Sequence, residues 1–347
     1  MGVPMNSEDL KNKDDSIQII QESNPQQEFL GITDAVLKKP QHLFFVKNKN
    51  FLSEIIDSEE LKNLALIVEE KYFNLLDTAT VDKLKSAKFL ATSKDVMLTM
   101  CKLSEVFHQK IFSDADNFLD GRQLGNVEID PTAMIAQGVF IGSRVKIGAN
   151  VKIHSGVTIQ SDVEIQDGTV LFNNVSIYSM TKIGKNVRIH AGSVIGADGF
   201  GYHFSAGTHH KIWHMGGVEI KDNVEIGANL CVDMGTFSPT TIGAGSKIDN
   251  QVQVGHNVKL GNGVVLCGQV AVGGSTTIGD FTVAGGQAGF GNGLKIGKGV
   301  QLAGASGAVS NVGDGETVGG FPARDHKEWL KSLAMLRKLA LNKKEEK

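Results

Sequence analysis

The sequence predicts a mainly β protein, a left-handed parallel β-helix of hexapeptide repeats with a small α/β domain before it and a helix after it. Twelve aliphatic residues recur every six positions without a break: Ile129, Ile135, Ile141, Ile147, Ile153, Ile159, Ile165, Leu171, Ile177, Ile183, Ile189 and Ile195. Neither a helix (3.6) nor an alternating strand (2.0) has this period, whereas a coil of hexapeptides does. The position two before each is Val in eight of the twelve cases and Ala, Thr or Ser otherwise, small or β-branched residues that suit a tight interior. Glycine marks where the coil begins. Only Gly2 and Gly31 precede residue 121, and the other 39 of 41 lie from Gly121 onward.

Residues 1–28 are polar and read as a mobile tail. Residues 29–120 read as a small α/β domain, in which HLFFVKN (42–48) and LALIVEE (64–70) are short buried strands. Ser93 is placed to cap a helix whose apolar face is Val96, Met100, Leu103 and Phe107. The coil occupies 121–322, and three hexapeptides per turn stack residues 18 apart at about 4.8 Å, one strand spacing. After Ile195 the repeat resumes at Ile220, Ile226 and Val232, then shifts and continues through Ile242 to Ile278. Residues 198–217 break the period and read as an extruded loop, and a shorter break lies near Gly235 to Thr241. In 323–347, Trp329, Leu333, Leu336 and Ala340 fall at a/d-like spacing on an amphipathic helix. From Arg324 on, eight Lys/Arg stand against four Asp/Glu. This tail reads either as a helix packed on its own coil or as an oligomer contact with a basic face for an acidic partner.

Composition excludes several classes. A net charge of −3 argues against a nucleic-acid binder. Cys101, Cys231 and Cys267 have neither disulfide nor zinc spacing. The first residues lack the apolar run of a signal peptide and no stretch is apolar enough to span a bilayer, so the expectation is a cytoplasmic protein.

A coil exposes flat faces and an open end, and such surfaces are commonly hidden by assembly. A catalytic residue should then project into a cleft between copies. Of ten histidines, His154 and His190 each follow an inward Ile, two turns apart, and read as surface residues in one column. His203, His209, His210 and His214 crowd the insertion. His209 and His214 are a candidate metal pair, but a metal needs further ligands held rigidly, so none is expected. His256 differs. It lies two places after an inward Val254, at a coil corner, with Gly274 18 residues on and therefore one turn above. A general base beneath a glycine N–H can take a proton while the N–H stabilises an oxyanion. On spacing alone, a structural corner histidine is the competing reading.

The runs GADGFGY (196–202), VEIGAN (224–229) and KIDNQVQVGHNV (247–258) resemble the UDP-3-O-(3-hydroxyacyl)glucosamine N-acyltransferases of lipid A biosynthesis, and LFFVKNKNF (43–51) is similar to a segment of their N-terminal domain. The resemblance covers about residues 29–340. It implies transfer of an (R)-3-hydroxyacyl chain from the 4'-phosphopantetheine of acyl carrier protein to the 2-amino group of a UDP-3-O-acyl-glucosamine. It implies a homotrimer with sites between coils, no cofactor or metal of its own, at most peripheral membrane association, and the cytoplasm of a Gram-negative bacterium. By resemblance His256 is the base, Gly274 the oxyanion donor and Asn250 a nearby polar site residue. The α/β domain becomes a uridine-binding domain, with Phe45 and Phe51 stacking the base and Asn48 pairing with its edge. Core packing is the plain alternative for the two phenylalanines.

The chain also departs from the pattern. Asn292-Gly293 stands where the family commonly has Gly-His, with Gly293 in the histidine's slot, and Asp233-Met234-Gly235-Thr236 replaces Asp-Arg-Gly-Ala. Two potential phosphate partners are thereby lost. Alternative readings are another nucleotide-sugar acyltransferase, using acetyl-CoA or an O-acceptor, and a non-catalytic paralogue.

Overall fold

The computed structural model describes residues 4–112, 126–320 and 325–342; the expected domain boundaries at 120/121 and 322/323 lie outside them. The α/β domain is a five-stranded sheet of β1 (Gln18–Glu22), β2 (Gly31–Ile32), β3 (His42–Val46), β4 (Ala65–Glu69) and β5 (Phe89–Ser93), in the order β1-β5-β4-β3-β2. All neighbours are parallel except β1, which runs antiparallel to β5.

For residues 4–28, that edge strand overturns the expectation of a mobile tail over 1–28. Asn6 caps the helix Ser7–Lys13 in a reciprocal capping box with Asp9. Met5, Leu10 and Ile17 bury their side chains in the domain core. Asp14 is buried too, accepting from Thr99 Oγ1 at 2.5 Å and Lys102 Nζ at 3.2 Å, and these bonds hold its carboxyl below the usual range against the opposing pull of burial. Three apolar anchors in a polar segment suffice because the sheet supplies the partner surface, which composition alone does not reveal. A second correction concerns the helix Val96–Ile111. Its cap is Asp95, whose side chain accepts from Leu98 N, while Ser93 ends β5 and bonds Thr99. The expected face of Val96, Met100, Leu103 and Phe107 is buried.

From Glu128 onward the chain winds as a left-handed parallel β-helix. Among the described residues its three faces are sheets of ten, nine and nine strands. Strands pair in register with the strand 18 residues on, as Ile153 with Leu171 and Ile159 with Ile177. The inward Ile, Val and Leu side chains form one continuous core. Register measures the breaks. Ile183 pairs with Ile220, 37 residues on instead of 18, so the first insertion adds 19 residues. Ile220 pairs with Ile242, 22 on, so the second adds four. The first insertion folds as a hairpin, Tyr202–Ser205 against Thr208–Lys211. It docks on the α/β domain, where His203 Nε2 (3.1 Å) and Ser205 Oγ (3.0 Å) both reach the Asp95 carboxylate. Ile212 and Met215 pack in that domain's core beside Phe45.

The helix His326–Asn342 leaves Trp329, Leu330, Leu333, Leu336 and Leu339 exposed in one copy of the chain. The side chain of Ala340 lies outside the described residues. No helix among them is long and apolar enough to cross a membrane.

Candidate active site

His256 takes its place from the coil. Val254 pairs with Val272 on one face, and the chain turns the corner at Gly255, which sets His256 directly under Gly274. The fit is close: a Cβ added to Gly274 would stand 2.7 Å from His256 Nε2 and 3.0 Å from Cδ2 and Cε1. At corresponding corners the N–H is taken by a side chain of the turn above, Ala228 by Asn250 Oδ1 (2.7 Å) and Asn262 by Asp280 Oδ1 (2.8 Å). No described residue accepts from the N–H of Gly274.

The other ring nitrogen is held from the side. Nδ1 of His256 lies 3.1 Å from Asn257 Oδ1, which also accepts from Thr236 N (3.0 Å) and Thr236 Oγ1 (2.7 Å). Asn257 is itself fixed, with Nδ2 donating to the Ser238 carbonyl at 3.0 Å and its backbone N–H to Thr240 Oγ1 at 2.9 Å. Its φ of 58° falls in the left-handed region that Asn tolerates better than most residues. With Asn257 Oδ1 accepting the Nδ1 proton, Nε2 is left with its lone pair unprotonated, the tautomer a general base requires.

Two acidic groups lie near. Burial pushes the Asp233 carboxyl up, against the donated bond of Gln253 Nε2 at 3.1 Å and the attraction of His256; Asp198 pushes it further up. Asp198 forms an ion pair with Lys211 across the insertion.

Behind His256 stands a second imidazole that the sequence reading left among the insertion's histidines. His214 is 0% exposed, and its ring makes an edge-to-face contact with His256, centroids 5.2 Å apart at 68°. Neither of its nitrogens has a hydrogen-bond partner. Burial, and then the neighbouring His256, lowers its pKa to about 4; the Ile212 carbonyl lies on its raising side without reaching hydrogen-bond geometry. Its cover is glycine backbone. A Cβ on Gly199 would meet His214 Nε2 at 2.6 Å and His256 Cβ at 2.5 Å, and one on Gly201 would meet His214 Cε1 at 2.8 Å. His209, the other histidine of that candidate pair, tilts against Phe204, ring centroids 5.0 Å apart.

The structure does not bring Asn250 to His256 within one chain. Asn250 follows Ile248 on a different face and corner of the coil, beside a cleft lined by His190, Lys247 and Cys267. The proposed uracil residues divide. Phe45 is only 7% exposed and packs in the domain core, whereas Phe51 is 40% exposed. Asn48 caps the helix Lys49–Ser53 through Oδ1, which leaves its Nδ2 to a ligand. Of the departures, Met234 is buried in the coil one turn below His256. Gly293 has φ 69° with open space where a side chain would go. His154 and His190 stack on either side of Phe172, at 5.2 and 4.4 Å, with Arg188 over the same ring. Their outward column is an aromatic stack that the spacing of the histidines alone does not show.

Residues 138–179 and 238–267 match the family model described as the hexapeptide repeat of succinyl-transferase. A UDP-3-O-acylglucosamine N-acyltransferase of Wolinella succinogenes is 34% identical over 169 residues, 48% of this chain and 53% of that one. Its namesake in Campylobacter jejuni is 45% identical over 153 residues, 44% of this chain and 47% of that one. The chain thus spans about half the length of the curated relatives it matches. Among solved structures, a UDP-N-acetylglucosamine acyltransferase from Campylobacter jejuni is 26% identical, covers 53% of this chain and 68% of its own, and has a TM-score of 0.43.

Proposed function

We propose that this chain, kin to the UDP-3-O-acylglucosamine N-acyltransferases, is itself such an enzyme and moves an (R)-3-hydroxyacyl group from acyl carrier protein to the 2-amino group of a UDP-3-O-acyl-glucosamine. The observation that supports this most is that His256 Nε2 stands directly under Gly274, whose N–H no described residue accepts from, a base beside a free donor. The amine attacks the thioester carbonyl carbon as its proton passes to His256 Nε2. The C–N bond forms, and the carbonyl oxygen becomes an oxyanion facing the Gly274 N–H. Collapse breaks the C–S bond, and the departing pantetheine sulfur takes the proton back from His256. The chain needs no cofactor of its own, since the donor carries its own phosphopantetheine arm.

Asn250 and His256 lie on different corners, so a site using both requires a second copy, which favours the trimer. The exposed apolar row on the C-terminal helix supports the same assembly, and its basic residues suit an acidic carrier protein. Phe51 and the free amide of Asn48 are the groups available to a uracil. Mass spectrometry of products from hydroxyacyl-carrier and acetyl-CoA donors, offered with amine and hydroxyl UDP-sugar acceptors, tests the assignment. Amide product from the carrier donor is expected. Ester product, or acetyl transfer alone, would replace this reading with another nucleotide-sugar acyltransferase, which the loss of Arg at Met234 and of His at Gly293 would then explain.

A further inference from the structure

A buried imidazole with both nitrogens unpartnered is costly: each loses its hydrogen bond to water and gains nothing in return. A phenylalanine would fill the His214 slot, with the same edge-to-face contact, at no such cost. Few buried polar groups in a fold go unsatisfied, and those that do commonly mark a place where chemistry supplies the partner. Here the ring stands against the base itself, centroids 5.2 Å apart. The cover over its Nε2 is the backbone of Gly199 and Gly201, within a run that starts at Gly196 with φ 90° and carries no side chain at the point of contact. For His214 to meet a substrate this backbone must move against the bonds that hold it, Met234 N to the Ala197 carbonyl at 2.8 Å and Ile212 N to the Gly201 carbonyl at 2.9 Å.

We propose that His214 is a specificity-determining residue of the acyl transfer: its ring nitrogen accepts the second N–H of the attacking amine, while His256 takes the first, when acceptor binding moves the Gly199 segment aside. The inference rests on the acyltransfer reading above. A neutral imidazole always keeps one acceptor nitrogen, and burial keeps His214 neutral. One amine nitrogen donating two hydrogen bonds of about 2.9 Å at its tetrahedral angle bridges acceptors up to about 4.7 Å apart, and edge-to-face rings with centroids 5.2 Å apart can bring their nitrogens within that span. An amine has two N–H groups to give and a hydroxyl has one. Two imidazole acceptors side by side therefore select an amine acceptor, because a hydroxyl would leave His214 as unpartnered as it is now.

The test compares wild type, His214→Phe and His214→Gln on a UDP-3-O-acyl-glucosamine acceptor and on its analogue with a 2-hydroxyl group. Phe keeps ring shape without nitrogens, and Gln restores an acceptor. His214→Phe is expected to melt no lower than wild type yet lose about tenfold or more in kcat/KM on the amine. It should lose less than about threefold on the hydroxyl analogue, and His214→Gln should recover most of the amine activity. Equal losses on both acceptors, or wild-type kcat/KM on the amine in His214→Phe, would overturn the proposal. Should His214→Phe melt well below wild type, the amine-to-hydroxyl ratio of His214→Gln decides in its place. A wild-type ratio supports the acceptor role and a collapsed one overturns it. A wild-type enzyme that acylates neither acceptor would instead overturn the acyltransfer reading, and this inference with it; that failure shows in the wild type and not in the variants.

Discussion

His256 and Gly274 stand one coil turn apart, so close that a methyl group on residue 274 would lie 2.7 Å from Nε2 of the imidazole. The absence of a side chain is therefore a condition for the ring to point where it does. Gly274→Ala should fold and assemble normally, since the obstructing atoms are the tip of a side chain that can rotate away. The rotation carries Nε2 off the Gly274 N–H, and kcat should fall by about 10²-fold or more, the order of a lost base or oxyanion donor. Circular dichroism and turnover on the same preparation check this. Wild-type turnover would mean that the contact is incidental.

Stability should carry the signature of His214 in acid. Its folded pKa, about 4, lies below the 6.5 of an unperturbed histidine, first through burial and then through His256. Between those values the unfolded chain binds more protons than the folded one, so stability is undiminished above pH 6.5 and is lost as pH falls toward 4. The shift corresponds to roughly 3 kcal/mol when fully expressed. Melting temperatures of wild type and His214→Phe from pH 7 to 4 isolate this group, because the other titrating residues are common to both. The wild type should fall more steeply, and parallel curves would contradict the assignment.

Restoring the family's histidine at residue 293 sets two effects against each other. A new hydrogen bond to a charged group is worth about 1.5–3 kcal/mol at best, and open space surrounds the site. Against it, φ is 69° there, and a non-glycine residue in that region costs roughly 1–2 kcal/mol. Gly293→His should thus melt a few degrees lower while acceptor KM drops a few-fold to about tenfold and donor KM stays fixed. A variant with unchanged acceptor KM would show that the sugar nucleotide is held elsewhere.

Much of this fold is legible in the sequence because the hexapeptide period is a direct image of the coil: from Val145 to Leu302 the inward Ile, Val and Leu residues land in the core that their spacing predicts, while Ile135, in the first turn, is exposed. His256 under Gly274 follows from the same arithmetic of 18. What spacing misses is whatever folds back. The strand Gln18–Glu22 has only three apolar neighbours in a polar segment, and its partner surface comes from Phe89–Ser93 far along the chain. His214 looks like one histidine among four until the 19-residue insertion returns it against His256. Asn250 shows a different limit. One hexapeptide from His256 in sequence, it lies on another corner, because successive hexapeptides occupy different faces.

The C-terminal helix should serve assembly and donor binding. Truncation after Arg324 removes an apolar row exposed in one copy, together with seven of the tail's eight basic residues. Light scattering should show a weakened trimer, and donor KM should rise with a flatter dependence on salt, since charge-steered encounters weaken as ions screen them. Equal mass, KM and salt slope in both forms would leave the helix without either role.

The claim on which the account depends is that His256 is the general base. The most direct measurement is kcat of His256→Ala with the hydroxyacyl-carrier donor and amine acceptor, alongside its melting curve and molecular mass. The account predicts unchanged mass and nearly unchanged melting, with kcat lower by about 10²–10⁴-fold, the contribution of a positioned base. A folded His256→Ala variant that turns over at close to the wild-type rate would contradict it.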